Sequence, residues 1–369
     1  MTLYIIVALF PLVIGYLYNI SSGQNASLGL ATENGQVNNH QLKVRWRWLA
    51  LAAFPMFLVI AIRGYHMGAD TSVYLKFFDY VKNVSLDQAL WINQTGADFE
   101  VGYVVFEKVV SLFTKNHNVY QVIYTAVYFV FVVTFANQLE KENFLFLYFF
   151  ATLGLYTFMF TGVRQCLAMC VCIFSYRFIK NRKLIPFIIC MVIAFFFHKS
   201  AILFCVTYFM YKRKLSLFNI VFYGVFSVFS YLNIDVIQEW FNEYFEYEYE
   251  IESTGNGFVY LAVVTLITIF SIVVFKIYKE TTPENQGITN ISIIAMIFWV
   301  LRIVTRVAER PSYYFLFFTM AMLSVAIPSI KKTDFRQIAR YGIIVLAMLL
   351  YIYRFRANFS FLVPYDTFF

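Results

Sequence analysis

The chain has 369 residues, of which 61% are hydrophobic and 14% charged, and its formal net charge is +8. A soluble domain is about 45 to 50% apolar and about 25% charged, so a soluble fold around one core is excluded. The basic surplus is scattered through short loops between apolar runs, which reads as membrane topology rather than a nucleic-acid surface.

The first apolar run, residues 3–20, lacks a basic n-region and a small-residue cleavage site. It is therefore read as a retained first span rather than a signal peptide. Further spans are predicted at 47–62, 118–136, 143–159, 163–179, 184–197, 201–211, 217–233, 257–278, 288–306, 311–330 and 338–353. The expected fold is an all-α polytopic membrane protein with about 12 transmembrane helices, roughly 10 to 13. It forms one integral membrane domain over residues 1–369, for which a GT-C-like arrangement is a precedent.

Two segments break the pattern. His198-Lys199-Ser200 interrupts the run 184–211, leaving halves shorter than the ~20 residues of a perpendicular span. These are two short helices meeting in a polar cavity or one broken pair. In residues 99–113, Glu100, Glu107 and Lys108 interleave with Val, Tyr and Phe, which predicts an amphipathic helix, interfacial or re-entrant. Larger extracytoplasmic loops are expected at 63–117 and 234–256, and the tyrosine-rich acidic run 243–252 reads as a solvated loop rather than a metal site. Cys166, Cys170, Cys172, Cys190 and Cys205 all lie in apolar segments and read as small hydrophobes. No zinc, Walker, HExxH or dinucleotide spacing is present.

Loop charges orient the bundle. With both termini outside, the inside loops hold Lys43, Arg45, Arg47, Lys141, Arg177, Lys180, Arg182, Lys183, Lys212, Arg213, Lys214, Lys276, Lys279, Lys331, Lys332, Arg336 and Arg340, which is 17 of the 29 basic residues. The bias is modest, but it is concentrated in the shortest loops, where the positive-inside rule acts.

This orientation collects unusual polar residues at the outer ends of different helices: Arg63 and Asp70, Arg164, His198 and Lys199, and Arg302, Arg306, Glu309 and Arg310. Ionisable groups at the margin of hydrocarbon are costly and usually pair, line water or bind a ligand. Arginines placed against the positive-inside trend suggest an anion, since guanidinium matches phosphate oxygens as a bidentate fork. The plainer readings are snorkelling for Arg63 and Arg164, and internal ion pairing among Arg302, Arg306, Glu309 and Arg310 at helical spacing.

The stretch Arg63-Gly64-Tyr65-His66-Met67-Gly68-Ala69-Asp70-Thr71, with Tyr74 after it, resembles the "R, then vGtDt, then Y" signature of the EpsG family of Wzy-like exopolysaccharide polymerases. Asp98-Phe99-Glu100-Val101-Gly102-Tyr103 is similar to the family's "xEPGY" element, with Val101 where proline is common. Phe160-Thr161-Gly162-Val163-Arg164-Gln165-Cys166-Leu167-Ala168 resembles "FNGIRQxLA", with Thr161 in place of Asn, and Phe197-His198-Lys199-Ser200-Ala201 resembles "FHxSA". Arg310-Pro311-Ser312-Tyr313-Tyr314 and the stretch 358–365 are similar to later, less specific elements. The ordered set runs from about residue 50 to the end.

The resemblance implies a polymerase at the outer face of the bacterial cytoplasmic membrane. It would transfer a growing glycan from undecaprenyl pyrophosphate onto the non-reducing end of the next lipid-linked repeat unit. The implied partners are that lipid-linked oligosaccharide and the bilayer, with a flippase and a chain-length regulator as further candidates and no nucleic acid. No cofactor is implied, and a divalent ion at the pyrophosphate is an open alternative. Such chemistry needs leaving charge stabilised and an acceptor hydroxyl deprotonated. Arg164, Arg63 and Arg310 are the expected pyrophosphate contacts. Gln165, Lys199, Arg306, Glu309 and Tyr74 are expected to line the same substrate site. Asp70 is the expected base, His198 its rival or an orienting group, and Glu100 and Glu309 weaker alternatives. A lipid-linked oligosaccharide flippase and a membrane O-acyltransferase are the competing readings. The first would place ionisable groups near the bilayer midplane, often with internal repeats, and the second would place polar residues deep or on both faces.

Overall fold

The computed structural model describes residues 1–21, 39–139, 142–214, 216–245, 257–358 and 360–369. Among these the regular elements are helical: α1 (Thr2–Ser21), α2 (Asn39–Ala61), α3 (Thr71–Val81), α4 (Leu86–Ile92), α5 (Val101–Ser111), α6 (His117–Gln138), α7 (Asn143–Thr152), α8 (Leu155–Phe158), α9 (Val163–Lys180) and α10 (Leu184–Phe197). A 3-10 stretch, Lys199–Cys205, then leads into α11 (Val206–Met210), followed by α12 (Leu217–Leu232), α13 (Ile234–Phe245), α14 (Gly257–Ile277), α15 (Pro283–Leu301), α16 (Glu309–Ser329) and α17 (Thr333–Asn358).

Helices α1, α2, α6, α14, α16 and α17 are long and apolar enough to cross a membrane alone, and shorter apolar helices such as α7 and α10 supplement them. The protein is therefore a multi-pass membrane protein. Helix α16 is apolar around most of its circumference and almost wholly buried, so it is the pillar of the bundle. Helices α12 and α17 instead turn residues such as Phe226, Phe229, Leu346 and Leu349 outward, as lipid-facing helices do.

Side-chain contacts sort the helix ends into two sets. At one end, Arg45 near the start of α2 donates to Asn137 at the end of α6 and to Asn143 at the start of α7. There too Lys180 at the end of α9 pairs with Glu284 at the start of α15, and Arg340 on α17 pairs with Glu142. At the other end, the end of α2 meets α6 through Arg63 and Tyr124, and the end of α15 meets the start of α16 through Arg302 and Glu309. The first set holds loop residues of the predicted basic face, and the second holds the motif residues.

Residues 63–117 are largely helical, folding as α3, α4 and α5 across the motif end. Helix α5 is about 16 Å long, too short to span. Its polarity is reversed relative to a helix lying with its charges in water. Glu107 is fully buried, Lys108 donates to the Val81 carbonyl at 3.3 Å, and Val101, Val105, Val109, Leu112 and Phe113 are exposed. The charged groups are tolerated inside because they satisfy polar partners there: Tyr120 donates to Glu107 at 3.0 Å, and Tyr103 and Tyr120 share a hydrogen bond of 2.8 Å. Burial pushes the Glu107 carboxyl up to about 8, against hydrogen bonds from Tyr103 and Tyr120 that lower it. The outer loop expected at 234–256 begins as helix α13, and residues 246–256 lie outside the described residues.

Candidate active site

Two backbone approaches build the site. Gly68 has φ +93°, and a Cβ there would lie 2.1 Å from the Phe160 carbonyl oxygen, so only glycine lets the turn before α3 rest on the loop before α9. A Cβ on Gly102 would lie 2.6 Å from the Phe196 oxygen, so the start of α5 sits directly against the end of α10. Val101 occupies the first position of α5, where proline is also favoured. Thr161 turns its hydroxyl back to the Phe158 carbonyl at 3.1 Å.

These approaches bring Glu100, Arg164 and His198 together. Arg164 Nη1 pairs with Glu100 Oε2, and His198 Nδ1 lies 2.7 Å from Glu100 Oε1. The Lys199 backbone N–H donates to that same Oε1 at 3.2 Å. Arg164 also sits over the Phe99 ring, 4.5 Å from its centroid, and hydrogen-bonds Tyr74. Glu100 and His198 side chains are each 6% exposed while Arg164 keeps 18%, so Arg164 is the most accessible side chain of the three. Burial alone would push the Glu100 carboxyl up. The hydrogen bond and charge of His198, then the charge of Arg164, outweigh that and hold it at about 2.

Arg310 at the start of α16 is exposed, and its charge acts on both Tyr74 and His198. Gln165 fixes its backbone by donating to the Arg310 carbonyl at 2.6 Å, and Ser200 and Tyr314 hydroxyls meet at 3.2 Å. Asp70 immediately precedes α3, partly exposed, with its charge acting on Tyr74 one turn later. The structure therefore gathers Tyr74, Glu100, Arg164, Gln165, His198, Lys199 and Arg310, with Asp70 at the edge.

Arg63 and Glu309 are placed elsewhere. Arg63 is fully buried and donates to the Ile60 carbonyl at 2.9 Å, the Thr71 hydroxyl at 3.1 Å and the Tyr124 hydroxyl at 2.9 Å. Its donors are thus turned to protein acceptors, whereas the sequence suggested a pyrophosphate contact. Glu309 accepts from Arg302 Nε at 2.7 Å and from Tyr313 at 2.6 Å, in a separate cluster with Arg354, which lies over the Tyr260 ring at 4.4 Å. Internal pairing is thus the geometry of Arg302 and Glu309. Arg306 begins a 3-10 turn and is described by its backbone alone.

Phe99 and Arg354 were not singled out by sequence. Arg354 carried a usable signal, a cation just beyond the last apolar span, whereas Phe99 is indistinguishable from the many phenylalanines that only pack. Among the described residues no three His, Cys, Asp or Glu side chains converge as a metal-binding group.

The comparison with curated proteins and the comparison with solved structures each found no match. The model of the EpsG family matches residues 46–367, which includes all of the motifs that build the site. The chain belongs to the EpsG family.

Proposed function

We propose that the protein is a polysaccharide polymerase that transfers a growing glycan from undecaprenyl pyrophosphate to a hydroxyl at the non-reducing end of an incoming lipid-linked repeat unit. The motif end of the bundle faces outward from the bacterial cytoplasmic membrane in this reading, with both termini on that side. The observation that carries it is the Glu100–Arg164–His198 cluster, with Arg310 beside it, at the end of the bundle opposite the basic loops.

In the transfer, the acceptor oxygen forms a bond to the anomeric carbon while the bond from that carbon to the pyrophosphate oxygen breaks. Arg164 and Arg310 hold the departing negative charge. The hydroxyl proton passes to His198 Nε2, because Glu100 at 2.7 Å holds Nδ1 as the protonated nitrogen. This makes Glu100 an orienting group rather than the base, since its oxygens already accept from Arg164, His198 and the Lys199 amide. Asp70 is the second candidate base, and Tyr74 a hydroxyl that positions Arg164. A transporter would concentrate ionisable groups near the midplane, whereas the named clusters lie at helix ends.

Mass spectrometry of lipids from cells lacking the chain tests this against transport. Accumulation of single repeat units on undecaprenyl pyrophosphate in the outer leaflet, relieved by the wild-type chain and not by His198→Ala, is the expected result. Accumulation confined to the inner leaflet would replace the polymerase with a flippase.

A further inference from the structure

Arg63 is a buried cation whose acceptors come from several arms of the fold. Nη1 donates to the Ile60 carbonyl at 2.9 Å, Nε to Met67 and Thr71 at 3.3 and 3.2 Å, and Nη2 to Tyr124 at 2.9 Å and the Phe160 carbonyl at 3.4 Å. Thr71 closes the bracket, its hydroxyl lying 2.6 Å from the Met67 carbonyl and 3.1 Å from that of Phe160. Two of the bracketed arms carry the candidate site. Thr71 opens α3, which bears Tyr74, and Phe160 leads by four residues to Arg164.

A second, independent set of contacts braces the same turn from the other side. The Gly64 N–H donates to the Asp366 carbonyl at 2.8 Å and the Phe368 N–H to the Ile62 carbonyl at 3.3 Å, pairing Arg63 with Thr367 as an antiparallel bridge. The Tyr365 hydroxyl donates to the Val59 carbonyl at 2.9 Å. A buried charge without a carboxylate partner is costly, and dispersed neutral acceptors compensate for it only if all are in place. That requirement ties the separation of the arms to the planar five-donor fork of arginine.

We infer that Arg63 is a positioning residue of the transfer site, braced by residues 365–368, that fixes the α3 arm bearing Tyr74 against the loop bearing Arg164. It rests on the polymerase reading and assigns Arg63 no contact with substrate. Lysine keeps the charge but offers three donors from one point, so it cannot span the same acceptors.

The test is initial-rate kinetics of the full chain in lipid with a defined undecaprenyl-pyrophosphate repeat unit, together with equilibrium binding of undecaprenyl pyrophosphate itself. Arg63→Lys is expected to lower kcat about tenfold or more, with KM and the lipid's Kd within about twofold of wild type. Arg164→Lys in the same assays is expected to raise Kd about tenfold. Thr71→Val, which removes the hydroxyl between Arg63 and Phe160 and keeps the side chain's shape, is expected to lower kcat about threefold with KM unchanged. It decides the matter by itself should Arg63→Lys not fold. A raised Kd in Arg63→Lys resembling that of Arg164→Lys would show direct contact and overturn the positioning role. Unchanged kcat in both folded Arg63→Lys and Thr71→Val, or in Thr71→Val when only that variant folds, would overturn it too. Lipid binding by wild type without any glycan transfer would instead sink the polymerase reading, and the positioning role with it.

Discussion

Arg63 and Arg164 lie at the same end of the bundle, each inside a motif and each against the basic-loop trend, yet they have opposite surroundings. Arg164 meets a carboxylate, a phenol and an aromatic face, and its side chain keeps part of its surface exposed. Arg63 also lies over aromatic rings, those of Tyr124 and Phe160, but its hydrogen-bond partners are neutral hydroxyls and carbonyls and it is fully buried. An arginine at the hydrocarbon margin thus marks either a ligand site or a joint between helices. Exposure and the identity of the acceptors decide between them.

Truncating each arginine separates the two roles. Arg63→Ala is expected to destabilise the protein by about 3 kcal/mol or more, because several buried acceptors lose their donor together. Arg164→Ala should cost less, because Glu100 keeps His198 and the Lys199 amide as partners, while lowering transfer by about 100-fold or more, since its contribution is to a charged ligand. Thermal unfolding in detergent alongside transfer rates measures both, and similar stability losses would erase the distinction.

His198→Gln keeps a polar side chain beside Glu100 but removes the base. Transfer should fall about 10²-fold or more with lipid binding retained, as read by rates and undecaprenyl-pyrophosphate titration. Retained rates would move the base to Asp70.

A smaller effect concerns Glu107 on the inner face of α5. With its carboxyl raised to about 8, the folded chain keeps a proton there that the unfolded chain releases in the ordinary glutamate range. Stability should therefore fall as pH rises from about 5 to about 8, and Glu107→Gln should remove that slope. Parallel wild-type and variant melting curves across this range would contradict the buried, protonated carboxyl. Smallest of all, Val101→Pro at the first position of α5 should stabilise by about 0.4 to 1 kcal/mol, measured by the same melting curves, because proline is preorganised there.

The sequence made the apolar spans legible because lipid demands long uninterrupted hydropathy, and it made the break at His198 legible because polar residues cut an apolar run there. It also showed that the polar residues gather at one end, since alternation of the loops fixes which helix ends share a face. It could not distinguish Arg63 from Arg164, because the acceptors of Arg63 are mostly carbonyl oxygens, which every residue has. The inward turn of Glu107 was equally hidden, as its partner Tyr120 lies on another helix. Gly102 and Gly68 appeared only as motif letters, and their reason is the approach of the Phe196 and Phe160 carbonyls.

The most direct measurement of the central claim is gel sizing of products made by the purified chain in lipid from a defined undecaprenyl-pyrophosphate repeat unit. Wild type should give a ladder spaced by one repeat, and Arg164→Lys should give none while remaining folded. Absence of a ladder from wild type supplied with its native repeat unit, or an undiminished ladder from Arg164→Lys, would contradict the assignment of the Glu100–Arg164–His198 cluster as the transfer site.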